Sequence, residues 1–463
     1  MNDPGAILIL GAGATGLGAA YRLRQLHLAD WRVLEAENYP GGLASSFVDR
    51  MGFTWDIGGH VLFSHYNEYD RMIDDVLGDE RVWHERQAWV VLGDRFVPYP
   101  LQYNLHRLET GDRQRALAGL KEAIAASSGG PVTSPENFLA WINHTFGAGI
   151  AELFMVPYNT KVWGYPLETL GTSWIDERVA VPNLSRLQRN LELERDDMGW
   201  GPNRQFSYPL TGGTGIIWRR LAATLGKGRV GLGTSVTGVD LGCRTVSLAD
   251  GRILKWEILV TSLPLDNFCN LCRDLDPEVR QAARSLIYSS CHIVGVGLAG
   301  VMPELLRGTS WVYFPRSESP YYRVTVLSNY SPLNAPPGCW SLMAEVCETP
   351  HRPIARETLG ATVVSALRRD GLIPPDTQVA SLWQRREEHG YPTPFLGRDD
   401  VLGRILPALE ALNVYSRGRF GAWKYEVSNQ DHSFMQGFEV INRILGLGVE
   451  VTLPDPQAVN QQP

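Results

Sequence analysis

Ile7-Leu-Ile-Leu10-Gly11-Ala-Gly13-Ala-Thr15-Gly16 is the stretch on which the fold turns. Four apolar residues bounded by glycine predict a short buried strand, and a helix-forming run follows from Leu17 to Leu26. Gly11 is expected to make the tight turn, Gly13 to let the backbone approach a pyrophosphate, and Gly16 to let the helix pack on the strand. The helix then faces the phosphates with unpaired N–H groups. A second strand, Trp31 to Leu34, ends at Glu35, about twenty residues beyond the last glycine, where a carboxylate can accept a hydrogen bond from an unphosphorylated ribose. This order predicts an α/β fold with a doubly wound parallel sheet that binds a dinucleotide.

The rest of the chain is consistent with a globular enzyme. Its 463 residues exceed a single core and suggest about three structural units. A hydrophobic fraction of 44% and a charged fraction of 20% lie in the ordinary globular range. A formal net charge of −7 argues against nucleic acid or an anionic membrane as the main partner, because phosphate backbones need a basic footprint. No apolar run is long enough to span a membrane and no charged leader precedes Ala6, so neither a membrane segment nor a signal peptide is expected, and the protein is placed in the cytoplasm. Six scattered cysteines read as reduced thiols. Cys269 and Cys272 form a lone CxxC without a second pair; they read as packing residues, and no metal site is assigned.

Two later segments read as returning to the first sheet. One begins at Thr211-Gly-Gly-Thr-Gly215, runs as an amphipathic helix to Leu225, and continues in strands around Val230 to Asp240 and Arg244 to Leu248, with a turn at Asp250-Gly251. The other begins near Asn413 and ends in a helix after Asn429 with Phe434, Phe438, Ile441 and Leu445 on one face. The nucleotide-binding domain is therefore expected in three pieces, 1–80, 205–275 and 405–453. Residues 81–103 are assigned to strands of a second sheet. Residues 104–204 read as a helical domain that carries substrate contacts and any homo-oligomer interface. Ala116 to Ala126 is rich in helix formers, Ser127 to Pro131 reads as a loop, and Ser134-Pro135-Glu136 as a helix cap. Residues 276–404 read as an antiparallel sheet, with strands at Ile293–Leu298, Ser310–Phe314, Tyr322–Ser328, Trp340–Val346 and Val379–Arg386. The tail, 454–463, is polar and expected to be disordered.

Pro40-Gly41-Gly42 resembles the second glycine motif of the FAD-binding amine oxidase superfamily, and Gly58-Gly59-His60 offers bare backbone suited to a large planar ring. From Gly58-Gly-His-Val-Leu-Phe-Ser-His65 onward the chain resembles the UDP-galactopyranose mutase family, particularly its eukaryotic type. The likeness runs collinearly through Pro98-Tyr99-Pro100, Pro157-Tyr-Asn-Thr-Lys-Val-Trp163, Glu177-Arg-Val-Ala-Val-Pro-Asn183 and Trp200-Gly-Pro-Asn203. It continues at Trp311-Val-Tyr-Phe-Pro315, Tyr322-Arg323, Ser328-Asn-Tyr-Ser-Pro332, His389-Gly-Tyr-Pro-Thr-Pro394, Arg417-Gly-Arg-Phe-Gly421 and Tyr425-Glu-Val-Ser-Asn-Gln-Asp-His-Ser-Phe434.

That resemblance implies an FAD enzyme of three parts, a Rossmann-like FAD-binding domain with a helical domain and an antiparallel β-sheet domain, interconverting UDP-galactopyranose and UDP-galactofuranose. It implies that reduced flavin N5 attacks the anomeric carbon and displaces UDP, and that a reductant such as NAD(P)H or a reductase supplies the electrons. Arg178 and Arg323 are the implied grips on the diphosphate, a role that suits a planar guanidinium fork. Strand alternation puts Tyr321, Arg323 and Thr325 on one face and Tyr322, Val324 and Val326 on the other. The resemblance further implies Tyr313, Tyr391 and Tyr425 as hydroxyl donors to the diphosphate, Tyr99, Gln102, Phe154, Tyr158, Asn159 and Trp163 around the uridine, and Asn203 as a substrate contact. His60 would lie beside the isoalloxazine as a positioning and tuning residue. Gly11, Gly13, Thr15, Gly16, Glu35, Gly42, Leu43, Gly59, Arg419, Asn429 and Gln430 complete the implied flavin contacts. Gly164-Tyr165, Lys424 and Ser428 depart from the family pattern near the site. A mutase acting on another pyranose or on a GDP or dTDP carrier, and a flavin amine oxidase or desaturase, are the competing readings.

Overall fold

In the computed structural model, which describes residues 6–128, 135–175 and 178–460, strand Ile7–Leu10 lies at the centre of a five-stranded parallel sheet. Ile258–Thr261 and then Val414–Ser416 pair on one side of it, and Trp31–Leu34 and then Val230–Gly231 on the other. All four residues of the central strand are buried. Ile7 and Ile9 face one apolar cluster, while Leu8 and Leu10 face another, so both sheet faces are covered. The helix begins at Ala14, directly out of the glycine turn, and ends at Gln25.

Helix Ala14–Gln25 crosses helix Gln430–Ile444 with backbone against backbone. A methyl group on Gly437 would sit 1.9 Å from the carbonyl oxygen of Thr15, and one on Gly18 would sit 2.2 Å from that of Phe434. Phe434, Phe438 and Ile441 join Leu17, Ala20 and Leu23 in the buried cluster around this crossing, and Leu445 packs at its edge.

The second sheet has seven strands in the order Val379–Pro392, Tyr288–Ala299, Cys339–Glu348, Arg323–Thr325, Trp311–Tyr313, Ala88–Leu92, Arg95–Pro98. It is mixed rather than antiparallel throughout, because Trp311–Tyr313 pairs in parallel with Ala88–Leu92, a segment that enters from far upstream. Gly295 and Gly297 leave room for the rings of Trp55 and Phe53, which would otherwise meet a Cβ at 2.5 and 2.6 Å. The hairpin Ser46–Val48/Thr54–Asp56 is thereby seated on the second sheet.

Several expectations are corrected. Strands Val236–Asp240, Thr245–Leu248 and Ile253–Lys255 form a separate three-stranded antiparallel sheet instead of joining the parallel one; period-two alternation marks a strand without saying which sheet it enters. Arg81–Glu85 likewise pairs with Gln205–Pro209, outside the seven-stranded sheet. The expected strand Tyr322–Ser328 is reduced to Arg323–Thr325, followed by a short helix, Leu327–Tyr330. Tyr321 packs with Val324 and Val326, while Tyr322 bonds the same carboxylate as Arg323, so a bend at Tyr322 reverses the expected parity of both tyrosines. Helix Leu359–Arg369 was not expected.

The helical insertion comprises Thr110–Ser128, Phe138–Ile150, Val156–Trp163 and Leu184–Glu192. Ser127 and Ser128 continue the first of these helices, and the rest of the expected loop lies outside the described residues. Ser134 lies outside them too; the cap is supplied by Asn137, whose Oδ1 accepts from the N–H of Ala140 at 2.9 Å. The tail carries a helix, Pro456–Asn460, with Val459 and Asn460 buried. Among the described residues no helix is long and apolar enough to cross a membrane.

Candidate active site

A cavity of about 620 Å³ opens between the glycine turn, the seven-stranded sheet and the helical insertion. At its nucleotide end Gly11 adopts φ +97°, and a Cβ there would lie 2.4 Å from Ser262 Oγ. A Cβ on Gly13 would meet no protein atom nearer than 4.0 Å, so the bare backbone borders open cavity. Gly41 and Gly42, at φ +117° and +53°, turn a second bare stretch toward Gly13. Glu35 closes this end, accepting from the N–H groups of Ala12 at 2.7 Å and Glu37 at 2.9 Å. Burial pushes its carboxyl pKa up, against these backbone hydrogen bonds. A helix N-terminus, bare glycines and a carboxylate at the strand end fit the pyrophosphate and ribose of the flavin dinucleotide that the resemblance implies.

Deeper in the cavity, Gly58 at φ +91° and Gly59 carry His60 into the wall. His60 is half-buried, its buried Nδ1 has no hydrogen-bond partner among the described residues, and desolvation lowers its pKa to about 4 despite the attraction of Glu345. The ring is therefore neutral near pH 7. Because the unfolded chain takes up this proton near 6.5, the stability due to the neutral ring is complete above that pH and is lost as pH falls toward about 4. A His60 ring signal, assigned by difference with His60→Asn, is expected not to titrate between about pH 5.5 and 8; an inflection near 6.5 would contradict a desolvated, uncharged ring.

Arg178, Arg323 and Arg419 are among the arginines that line the cavity. Arg323 donates from Nε and Nη2 to the two oxygens of buried Glu345, at 2.7 and 2.8 Å. Glu345 also accepts from the Gly59 N–H at 3.1 Å and the Tyr322 hydroxyl at 2.8 Å. Burial alone would raise its pKa, but the Arg323 charge and these donors hold it low. Arg178 donates to Asn429 Oδ1 and to the Glu426 carbonyl, both at 2.8 Å, with its guanidinium 5.1 Å from the centre of the Tyr425 ring. Arg419 donates to the Gly390 carbonyl at 2.9 Å and to Ser428 Oγ at 2.8 Å, and lies over the Tyr391 ring at 4.8 Å. Among the described residues no carboxylate pairs with Arg178 or Arg419, whereas Arg323 is already neutralised. Burial lowers the Arg419 pKa, a strain that an incoming anion would relieve. Ser428 is thus a support for Arg419.

Tyr99 and Tyr313 meet edge to face at 5.0 Å, and Tyr391 and Tyr425 lie 5.9 Å apart. Burial raises the hydroxyl pKa of Tyr99, Tyr313 and Tyr391, so these groups donate hydrogen bonds without ionising. Thr15, Leu43, Asn203, Asn429 and Gln430 also line the cavity. Gly16 lies behind it: a Cβ there would be 1.9 Å from the Gly11 carbonyl oxygen, so it packs the helix on the turn. Gln102 donates to the Ala180 carbonyl, and Asn159 to that of Met155 at 2.7 Å; neither lies on the cavity wall. Phe154 stacks on Tyr158, which abuts Tyr313 at 5.1 Å, and Trp163 abuts Tyr425 at 5.0 Å, so these rings form a layer behind the tyrosines. Glu177 lies outside the described residues.

Sequence reasoning missed Glu345, Arg86 and Asp431. A lone acid within the apolar strand Trp340-Ser-Leu-Met-Ala-Glu345-Val was the available cue for the first. Asp431 accepts from the backbone N–H of His65 at 3.2 Å and lies 2.7 Å from its Nδ1, which ties the end of the Gly58–His65 segment to helix Gln430–Ile444.

Comparison with known proteins places these features. Residues 14–415 match the family described as flavin containing amine oxidoreductase. A crystal structure of reduced UDP-galactopyranose mutase is 42% identical, with a TM-score of 0.96 over 98% of this chain and 97% of that one. A fatty acid isomerase from P. acnes (13% identity, TM-score 0.66, 96% and 99% covered) and a putrescine oxidase bound to putrescine (16%, 0.64, 95% and 99%) share the fold.

Proposed function

The chain belongs to the UDP-galactopyranose mutase family within the flavin-containing amine oxidoreductases, and from that premise we propose that it interconverts the pyranose and furanose forms of UDP-galactose. It is a flavoenzyme isomerase, and FAD is its cofactor. When bound and reduced, the flavin supplies N5 as the nucleophile for the anomeric carbon.

The chain's own residues have the complementary tasks. Arg178 and Arg323 hold the diphosphate while its bond to the sugar is broken and remade, and fixed cations there lower the cost of the developing charge. Tyr313, Tyr391 and Tyr425 donate to the same oxygens. Neutral phenols grip the leaving group without adding charge, so it can return. Tyr99 and Asn203 bound the nucleotide, with the ring layer of Phe154, Tyr158 and Trp163 behind them, and Gln102 and Asn159 support the backbone there. Neutral His60 orients the cofactor and is not a proton store near pH 7. The glycines, Glu35, Arg419, Asn429 and Gln430 hold FAD. NAD(P)H or a reductase provides the electrons.

The supporting observation is a cleft lined by un-ionised phenols at which Arg178, assigned to the diphosphate, and Arg419 beside it have no carboxylate partner among the described residues, while Arg323 is paired with Glu345. Such a site is electrostatically incomplete until an anion enters. The test is chromatographic: dithionite-reduced protein is expected to convert UDP-galactofuranose to UDP-galactopyranose, while the oxidised form is nearly inert. Equal turnover in both redox states would remove the nucleophile from the mechanism. Running a panel with GDP and dTDP carriers and other pyranoses assigns the specificity, and faster turnover of any of them would displace UDP-galactose as the substrate.

A further inference from the structure

Fully buried arginines elsewhere in this molecule have their charge matched. Arg398, 2% exposed, forks onto Glu426, and Arg417, 1% exposed, onto Glu450 and Glu410. Arg86 is equally buried, 3% exposed, yet among the described residues no carboxylate pairs with it. Its acceptors all belong to one loop: Nη1 donates to Asn203 Oδ1, and Nη2 to the carbonyls of Met198 at 2.9 Å and Trp200 at 2.5 Å. Its own N–H donates to the Arg204 carbonyl at 2.8 Å, and its Nε has no partner. The guanidinium lies over Tyr99 at 5.7 Å, and Tyr99 in turn abuts Trp200. Arg86, Tyr99, Trp200, Pro202 and Asn203 all line the cavity.

We propose that Arg86 is a positioning residue, whose buried guanidinium fastens the Met198–Asn203 loop over the cavity and so fixes where Trp200 and Asn203 meet the nucleotide sugar. The inference rests on the substrate reading given above, but the fastening itself is a property of the protein without substrate. Three acceptors spaced along six residues match a planar fork and exceed what one ammonium can reach in fixed geometry. An unmatched buried cation is costly to retain for packing alone. Burial lowers the Arg86 pKa, which agrees with a charge awaiting an anion nearby. The loop has few other ties: Gly199 donates to Asp197 and accepts weakly from Arg186 at 3.5 Å, and Arg204 bonds back to Gly201.

Two readouts on FAD-loaded protein test the proposal. In limited trypsin digestion, cleavage after exposed Arg195 and Arg204, which flank the loop, is expected to be at least tenfold faster in Arg86→Met than in the native chain, with flavin content unchanged and Arg86→Lys between them. In steady state, the KM for the nucleotide sugar is expected to rise at least tenfold in Arg86→Met while kcat changes less than threefold. Adding Asn203→Ala to Arg86→Met should raise KM by less than the product of the single effects, since the two side chains act through one bond. Native-like digestion in a flavin-retaining Arg86→Met overturns the proposal, as does a fall in kcat with KM unchanged. Should Arg86→Met lose flavin, Arg86→Lys decides by the same two criteria. If the loop opens but UDP protects neither native nor variant protein from trypsin, the fastening stands and the UDP reading fails.

Discussion

Arg323→Ala is expected to lower kcat/KM for the nucleotide sugar by about 10²–10⁴-fold, the size of effect that removing one partner of a buried, hydrogen-bonded charge pair has at a binding site. The loss has two sources. The diphosphate would lose a fork, and Glu345, now uncompensated, would repel it from the place where the cation stood. The double variant Arg323→Met/Glu345→Gln separates them. If Arg323 grips the substrate, neutralising both partners leaves turnover as poor as in the single variant. Recovery to within about tenfold of native would mean that Arg323 serves only to neutralise Glu345 and to seat the Gly59 backbone, which the same carboxylate holds. Steady-state assays of reduced enzyme, with flavin absorbance confirming occupancy, distinguish the outcomes.

Gly437→Ala is expected to be nearly as severe, through stability rather than chemistry. The added methyl group meets the Thr15 carbonyl oxygen at 1.9 Å and the Ala19 nitrogen at 2.8 Å. These are backbone atoms of a helix, with no rotamer to yield, so the cost should reach or exceed the ~3 kcal/mol top of the usual overpacking range. Helix Ala14–Gln25 would have to move off helix Gln430–Ile444, and the N-termini of both border the cofactor end of the cavity. The expected result is a low yield of soluble protein with a reduced ratio of flavin to protein absorbance. Gly403→Ala is the control: it lies in helix Arg398–Glu410 with nothing within 4 Å of the added atom. It should be neutral or stabilising by up to ~1 kcal/mol. Equal, native-like flavin loading in both variants would show that the helices can separate without cost.

What could be read from the chain follows the range of the interactions. The glycine turn and Glu35 were legible because they lie within a few dozen residues of one another at fixed spacing; the structure adds that the Glu35 carboxylate accepts from the turn at Ala12. Motif resemblance then carried Arg178, Arg323 and the tyrosines into one cavity. Arg86 stayed hidden because its partner Asn203 is 117 residues away; Glu345 stayed hidden because its pairing with Arg323, only 22 residues away, runs across two strands with no fixed spacing, and its bond to Gly59 spans 286. Tyr321 and Tyr322 were placed on the wrong faces because alternation assumes an unbroken strand, and the chain bends at Tyr322. The tail looked disordered by composition, yet Val459 finds an apolar seat and the Asn460 side chain approaches His432 at 3.0 Å.

The order of strands in the parallel sheet has a consequence for how the protein is made. Its last strand, Val414–Ser416, docks on Ile258–Thr261, and the helix crossing the glycine turn comes later still. A nascent polypeptide leaving the ribosome therefore carries its dinucleotide-binding half unfinished until Ile444 has emerged, with apolar strand edges open for the tens of seconds that several hundred residues require. The cofactor's seat is complete only once that late helix has docked, so co-expressed chaperones are expected to raise the yield of coloured protein in a heterologous host.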